Sequence, residues 1–142
     1  MDRAMLKAVI VDSNAISRGL LNTVLQDGGY EVVGQAHTGH GALQLAIKFR
    51  PQILCIAREQ VEDGSNAVEQ LRATLPKTLV FMVSGTLDAA AIQAAMARGV
   101  HGFIAKPFKA DAVLKTIRNT VLALVRRQQA GGGGGASGAS GA

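Results

Sequence analysis

The sequence predicts an α/β domain with one doubly wound, five-stranded parallel sheet and helices on both of its faces. Three observations carry this. Strand-like and helix-like segments alternate five times along the chain. The strand-like segments are mostly short, continuous apolar runs, as expected for strands covered on both faces. Several of these runs also deliver a small or polar residue at their carboxyl end: Val9-Ile10-Val11 leads into Asp12, Ile53–Ile56 into Ala57, Leu79–Val83 into Ser84 and Gly102–Ala105 into Lys106. Strands joined in this way need right-handed helical crossovers, and a parallel sheet places its chemistry just outside the carboxyl ends of its strands.

Each element has a local reason. Lys7–Val11 is the first apolar run. Asn14–Gln26 follows, with Ile16, Leu20, Leu21, Val24 and Leu25 at helical spacing, and Asp27-Gly28-Gly29 breaks it. Glu31–Ala36 reads as a second strand around Val32 and Val33. Gly39–Phe49 repeats Leu43, Leu45, Ala46 and Ile47 at helical spacing, and Pro51 blocks any continuation. The third strand is Ile53–Ile56. A polar loop, Arg58–Gly64, then leads to a helix at Asn66–Ala73, and Leu79–Val83 is the fourth strand. Asp88 is placed to cap the Ala-rich fourth helix, Ala89–Ala97, and Gly99 to close it. After the fifth strand, Gly102–Ala105, Asp111 starts a last helix with Leu114, Ile117, Val121 and Val125 as its apolar stripe.

Composition narrows the function classes. Apolar residues make up 48% of the chain but aromatics only 4%, so the core should be aliphatic. No uncharged apolar stretch approaches the roughly 20 residues needed to span a bilayer. Residues 1–7 carry no signal-peptide core. One cysteine permits no internal disulfide, which fits a reducing cytoplasm, and Cys55 reads as a buried, inert thiol within a strand. A net charge of +5 is a modest excess, and the Arg126-Arg127 pair suits the negative end of the last helix. Gly131–Ala142 contains only Gly, Ala and Ser and should be flexible. His37 and His40 have no Cys or acid nearby to complete a metal set. Gly39 and Gly41 lack the spacing of a phosphate loop.

The run Gly102-Phe-Ile-Ala-Lys-Pro-Phe108, taken with the three earlier strand ends, resembles the receiver domain of bacterial response regulators, the CheY-like family. The resemblance covers residues 5–127 and leaves 128–142 as a Gly/Ala/Ser tail or linker. It implies the flavodoxin-like strand order 2-1-3-4-5. It also implies a phosphorylation site built from an acidic pair after the first strand, a nucleophilic aspartate after the third, a hydroxyl after the fourth and a lysine after the fifth. Asp12, Ser84 and Lys106 match that pattern. Ser13 stands where the second metal acid belongs. The nucleophile's place falls on Ala57 when counted from Pro51, or on Ile56 when counted back from Asp63-Gly64, and neither can accept a phosphoryl group. Glu59 lies two residues past the strand end and would have to double back. Phe103 occupies the aromatic switch position without a hydroxyl.

These substitutions lead to an expectation of a degenerate receiver, with no catalytic residue and no cofactor. Mg²⁺ usually relies on one or two carboxylates plus phosphate oxygens, so Asp12 alone should bind it weakly or not at all. An Asp12–Lys106 pair should remain, with Ser84 as a candidate bridge. The family signals through its fourth helix, fifth strand and fifth helix. Here Ala90, Ala91 and Ala94 on the fourth helix offer an uncharged surface to a protein partner or a second copy, with Ile92, Ala95 and Met96 turned to the core. A histidine kinase donor stays open. So do two other readings: a receiver joined to a nucleic-acid-binding output domain beyond the chain, and a conventional phosphorylated receiver if the aspartate's place is not Ala57.

Overall fold

The computed structural model describes residues 5–133. Five strands, β1 (Lys7–Val11), β2 (Glu31–Ala36), β3 (Ile53–Ala57), β4 (Leu79–Ser84) and β5 (Gly102–Ala105), form one sheet in the order β2-β1-β3-β4-β5. Every pairing is parallel. Six helices complete the described chain: α1 (Ala15–Asp27), α2 (Gly39–Phe49), α3 (Arg58–Val61), α4 (Ala67–Thr74), α5 (Ala89–Arg98) and α6 (Ala110–Gly133). The expected fourth helix is therefore α5, because Arg58–Val61 forms a helical turn where the sequence reads as loop. Four residues cannot display a period of 3.6, so this element has no apolar signature.

The core has two halves, sorted by the strand period of two. Val9, Val11, Leu54, Ile56, Val80 and Met82 face α2, α4 and α5. Ala8, Ile10, Ile53, Cys55, Leu79, Phe81 and Val83 face α1 and α6. Cys55 is fully buried, which pushes its thiol up to about 12. Gly102 is required by packing: a Cβ there would lie 2.8 Å from the Phe81 ring.

The helix starts are set by side-chain caps. Asn14 Oδ1 accepts the Ser17 amide at 3.0 Å, Thr38 Oγ1 the Gly41 amide at 3.0 Å, and Asp88 Oδ1 the Ala91 amide at 2.8 Å. Asn14 is thus the cap of α1 and not its first residue. Gly99 ends α5 at φ 118°, a left-handed conformation that favours glycine.

Several expected faces are corrected. On α1 only Leu21 and Leu25 are buried, while Ile16 and Leu20 are 76% and 56% exposed. On α6 Val113 and Ile117 are buried, and Val125 lies on the exposed side. On α5 Ala91 is buried at 6% exposure and Met96 is exposed at 58%, the reverse of the expected assignment. At 100° per residue, Ala91, Ile92 and Ala95 share the inward face and Met96 falls past its edge. Helix α6 also continues to Gly133, so residues 128–133 of the expected tail are helical. Positions 134–142, the rest of that tail, and positions 1–4 lie outside the described residues.

His101, at the entry to β5, extends the sheet with its side chain. Its amide donates to the Val80 carbonyl at 2.8 Å, and its Nδ1 accepts the Val80 amide at 3.0 Å. Burial, with Arg72 and Arg127 nearby, holds this imidazole below its usual 6.5. The unfolded chain then takes up the proton first. The contribution of His101 to stability is complete above about 6.5 and is lost as pH falls through the lower folded value. His101→Asn keeps an acceptor and removes the titration. Between about pH 7 and about pH 5, its melting temperature should fall less steeply than the parent's. Parallel slopes would show that His101 does not titrate in this window.

Candidate functional site

All five strands run the same way, so their carboxyl ends meet at one edge of the sheet. Val11 pairs with Ile56 and Ala57 with Val83, so one step beyond β1 the residue level with Asp12 is Ala57. Ile56 points into the core between the sheet and α2 and α4. The register of the sheet thus sets Ala57, and not Ile56, level with Asp12. Ala57 is fully buried, and Glu59 is exposed on α3.

Asp12 is the acid at this edge. Its Oδ2 lies 3.2 Å from Lys106 Nζ, with the Asp12 side chain 7% exposed and the lysine 27%. Its Oδ1 accepts the Asn14 amide at 2.8 Å, and its carbonyl accepts the Arg18 guanidinium at 2.6 Å. The pair spans from the end of β1 to the residue following β5. Ser84 does not bridge it. The Ser84 hydroxyl is engaged within its own turn, donating to the Thr86 carbonyl at 2.8 Å and accepting the Thr86 amide at 3.1 Å. Only its carbonyl reaches toward the lysine, accepting the Lys106 amide at 3.0 Å. A cis peptide joins Lys106 to Pro107.

A Mg²⁺ ion, which this architecture implies, does not fit the donor set. Asp12 brings one carboxylate already committed to Lys106, Ser13 is an exposed hydroxyl, and the end of β3 offers a methyl group. Among the described residues no three His, Cys, Asp or Glu side chains group as metal ligands. His37 and His40 are both exposed, and His40 faces Gln44.

Phe103 is half-buried and packs with Leu87 against the α2–α4–α5 half of the core. It also lines a hollow of about 390 Å³ with Ala105, Pro107, Ala112 and Thr116, between β5 and α6. Ala90 and Ala94 are exposed on α5 and Ala91 is not, so the candidate surface there consists of Ala89, Ala90, Gln93, Ala94, Met96 and Ala97.

Arg58 is a residue of this edge without a sequence motif. Its Nε donates to Glu62 Oε2 at 2.9 Å, and one terminal nitrogen reaches Thr86 O and Oγ1 at 3.2 and 3.3 Å. The only local signal is the Arg58–Glu62 spacing of i, i+4 on a helix. The contact to Thr86 spans 28 positions and has no sequence pattern.

A parallel sheet in this order, with an acid and a lysine paired across its carboxyl edge, defines a flavodoxin-like domain of the receiver type. The chain belongs to the response regulator receiver domain family, whose model matches residues 8–118. It is 32% identical over 114 residues to the chemotaxis protein CheY of Listeria monocytogenes, covering 80% of this chain and 96% of that protein. It is 35% identical over 106 residues to a protein-glutamate methylesterase/protein-glutamine glutaminase of Halobacterium salinarum, but those residues span only 30% of that protein. Among solved structures, Vibrio cholerae CheY4 superposes with a TM-score of 0.74 at 29% identity, covering 82% of this chain and 99% of that one. A response regulator from Thermotoga maritima reaches 0.75 at 20% identity, covering 83% and 98%, a likeness of fold alone.

Removing the lysine would strand a nearly buried carboxylate, whereas the Arg98–Glu69 pair is more solvated, with side chains 35% and 39% exposed. Lys106→Met should therefore lower unfolding stability by about 1–2 kcal/mol, and Arg98→Met by about 0.5 kcal/mol or less. Urea titrations of the two variants compare them directly. Equal losses would mean that the Asp12–Lys106 pair is as solvated as an ordinary surface pair.

Proposed function

We propose that this chain is a receiver-type signalling module that works without aspartyl phosphorylation and without a bound metal, through non-covalent contact with a second copy of itself. The observation that carries the reading is Ala57. It is fully buried at the end of β3, level with Asp12, where the family's chemistry needs a carboxylate nucleophile. Ser13 in place of a second acid supports weak or absent Mg²⁺ binding. With no nucleophile–base pair at the edge, the module acts as a binding surface and not as an enzyme. Its single, buried cysteine and the absence of any membrane-spanning helix among the described residues agree with action in the cytoplasm.

The surface favoured for contact is the outer face of α5. Ala89, Ala90, Gln93, Ala94, Met96 and Ala97 give it exposed, uncharged and mostly small side chains over its full length. Such a face lets a symmetry-related helix approach closely, and it brings no buried charge into the contact.

Incubation with acetyl phosphate and Mg²⁺ should leave the intact mass unchanged and the melting temperature where it was, since only a ligand of the native state raises it. A phosphoryl mass gain would overturn the reading.

Ala90→Glu/Ala94→Glu places two charges on the exposed face. The variant should keep the parent's circular dichroism and melting temperature but sediment as a smaller species. If parent and variant sediment alike, α5 is not the contact surface and its alanines serve only helix propensity.

A further inference from the structure

The sequence after β3 reads Ala57-Arg58-Glu59-Gln60-Val61-Glu62, and the turn of α3 brings Arg58 and Glu62 onto one side. Glu62 Oε2 accepts a hydrogen bond from Arg58 Nε at 2.9 Å and thereby orients the guanidinium plane. The far end of the same group donates to Thr86 O at 3.2 Å and to Thr86 Oγ1 at 3.3 Å. One side chain thus ties the segment after β3 to the segment after β4. Thr86 is held from its other side by the Ser84 hydroxyl, which accepts its amide and donates to its carbonyl. The amide, carbonyl and hydroxyl of Thr86 are all engaged.

Two residues further on, Asp88 caps α5 through the Ala91 amide, and between them Leu87 packs with Phe103 against the core. The position of Thr86 therefore sets the entry of the chain into α5. Gly85 brings no side chain to restrain this turn, and a Cβ there would meet nothing within 4 Å. The loop opens onto a cleft of about 600 Å³ lined by Arg58, Glu59, Glu62, Ser84, Gly85 and Thr86. Apart from Leu87, the restraints on this loop are polar, and on its Thr86 side they come from Arg58 and Ser84.

We propose that Arg58 is a permanent strut that holds the β4–α5 loop, and with it the start of α5, in one conformation, so that the state of the α5 surface is set by a resident cation and not by a covalent modification at the end of β3. This rests on the reading that no phosphoryl group arrives at Ala57. The guanidinium suits the role because its planar fork bonds Glu62 and Thr86 at once, whereas an ammonium on a flexible stem does not span both with the same geometry. Glu62 is a positioning residue, acting only through Arg58.

The test is amide hydrogen exchange on the full chain, with no phosphodonor present. In Arg58→Ala, exchange at the hydrogen-bonded amides of Thr86 and Ala91 should quicken about five- to tenfold, the loss expected for about one hydrogen bond's worth of local opening. The sheet amides of Leu54 and Met82 should keep the parent's protection. Arg58→Lys should leave the loop as open as Arg58→Ala, and Glu62→Ala should open it less. Unchanged exchange at the loop in Arg58→Ala overturns the proposal. So does a rise shared equally by the sheet, which would mean general destabilisation, and so does full protection in Arg58→Lys, which would mean charge alone suffices. Phosphorylation is read separately, by intact mass on the parent. A failure of the phosphorylation-independent reading therefore shows there, while the strut stands or falls on exchange alone.

Discussion

Strand β3 has all five of its residues buried, between β1 and β4 and beneath helices on both faces, and the architecture follows from that. A strand covered on both sides can bring no charge into its middle without a partner, so Ile53, Leu54, Cys55 and Ile56 are apolar and feed the two core halves alternately. Polar chemistry is confined to the edge where the strands end. At that edge every neighbour is fixed by the sheet's register, and a single residue there decides what the site can do. Ala57 occupies it. A methyl group costs nothing to bury, which is why the position closes into the core instead of opening as a charged pocket.

The same constraint made the strands readable in the sequence. Runs such as Leu79–Val83 announce themselves because double-sided burial removes polar alternation, and the cap residues Asp88 and Gly99 mark the ends of α5 by local chemistry. Helix faces were less legible. In α5 the alanines carry no amphipathic signal, so nothing local says that Ala91 and not Met96 turns inward, and the choice is made by the sheet beneath. In α1 Ile16 and Leu20 continue the apolar spacing but lie beyond the sheet's reach. At the site, Asp12, Ser84 and Lys106 could be placed because each follows an apolar run. The strut at Arg58 could not, since its partner Thr86 is distant in sequence and lies in a loop with no pattern of its own.

Lys106 and Arg58 do different cationic work at this edge. Lys106 reaches across the sheet from the end of β5 to Asp12, a point charge meeting a nearly buried carboxylate. Arg58 works outside the sheet, where its fork joins two loops. Neither can substitute for the other, because one needs reach and a single contact while the other needs planar geometry. The hydroxyl of Ser84, which sequence logic pairs with the lysine, goes instead to Thr86 and so belongs to the loop that Arg58 holds.

An aspartate at this edge is readily taken as the trace of a metal site, but Asp12 has sufficient structural reason to be there. Its carboxylate accepts the Asn14 amide two residues on, closing the turn that lets Asn14 cap α1. Its carbonyl accepts a hydrogen bond from Arg18 in the first turn of α1, and its amide donates to the Ala36 carbonyl at the end of β2. Asparagine could supply the turn, but its neutral amide would leave the Lys106 ammonium without a counter-charge at the sheet's edge. The ion pair and the turn together select aspartate without any metal. The end of β3 differs from Asp12 in this respect, because there Ala57 has no structural task that a carboxylate would perform better than its methyl group.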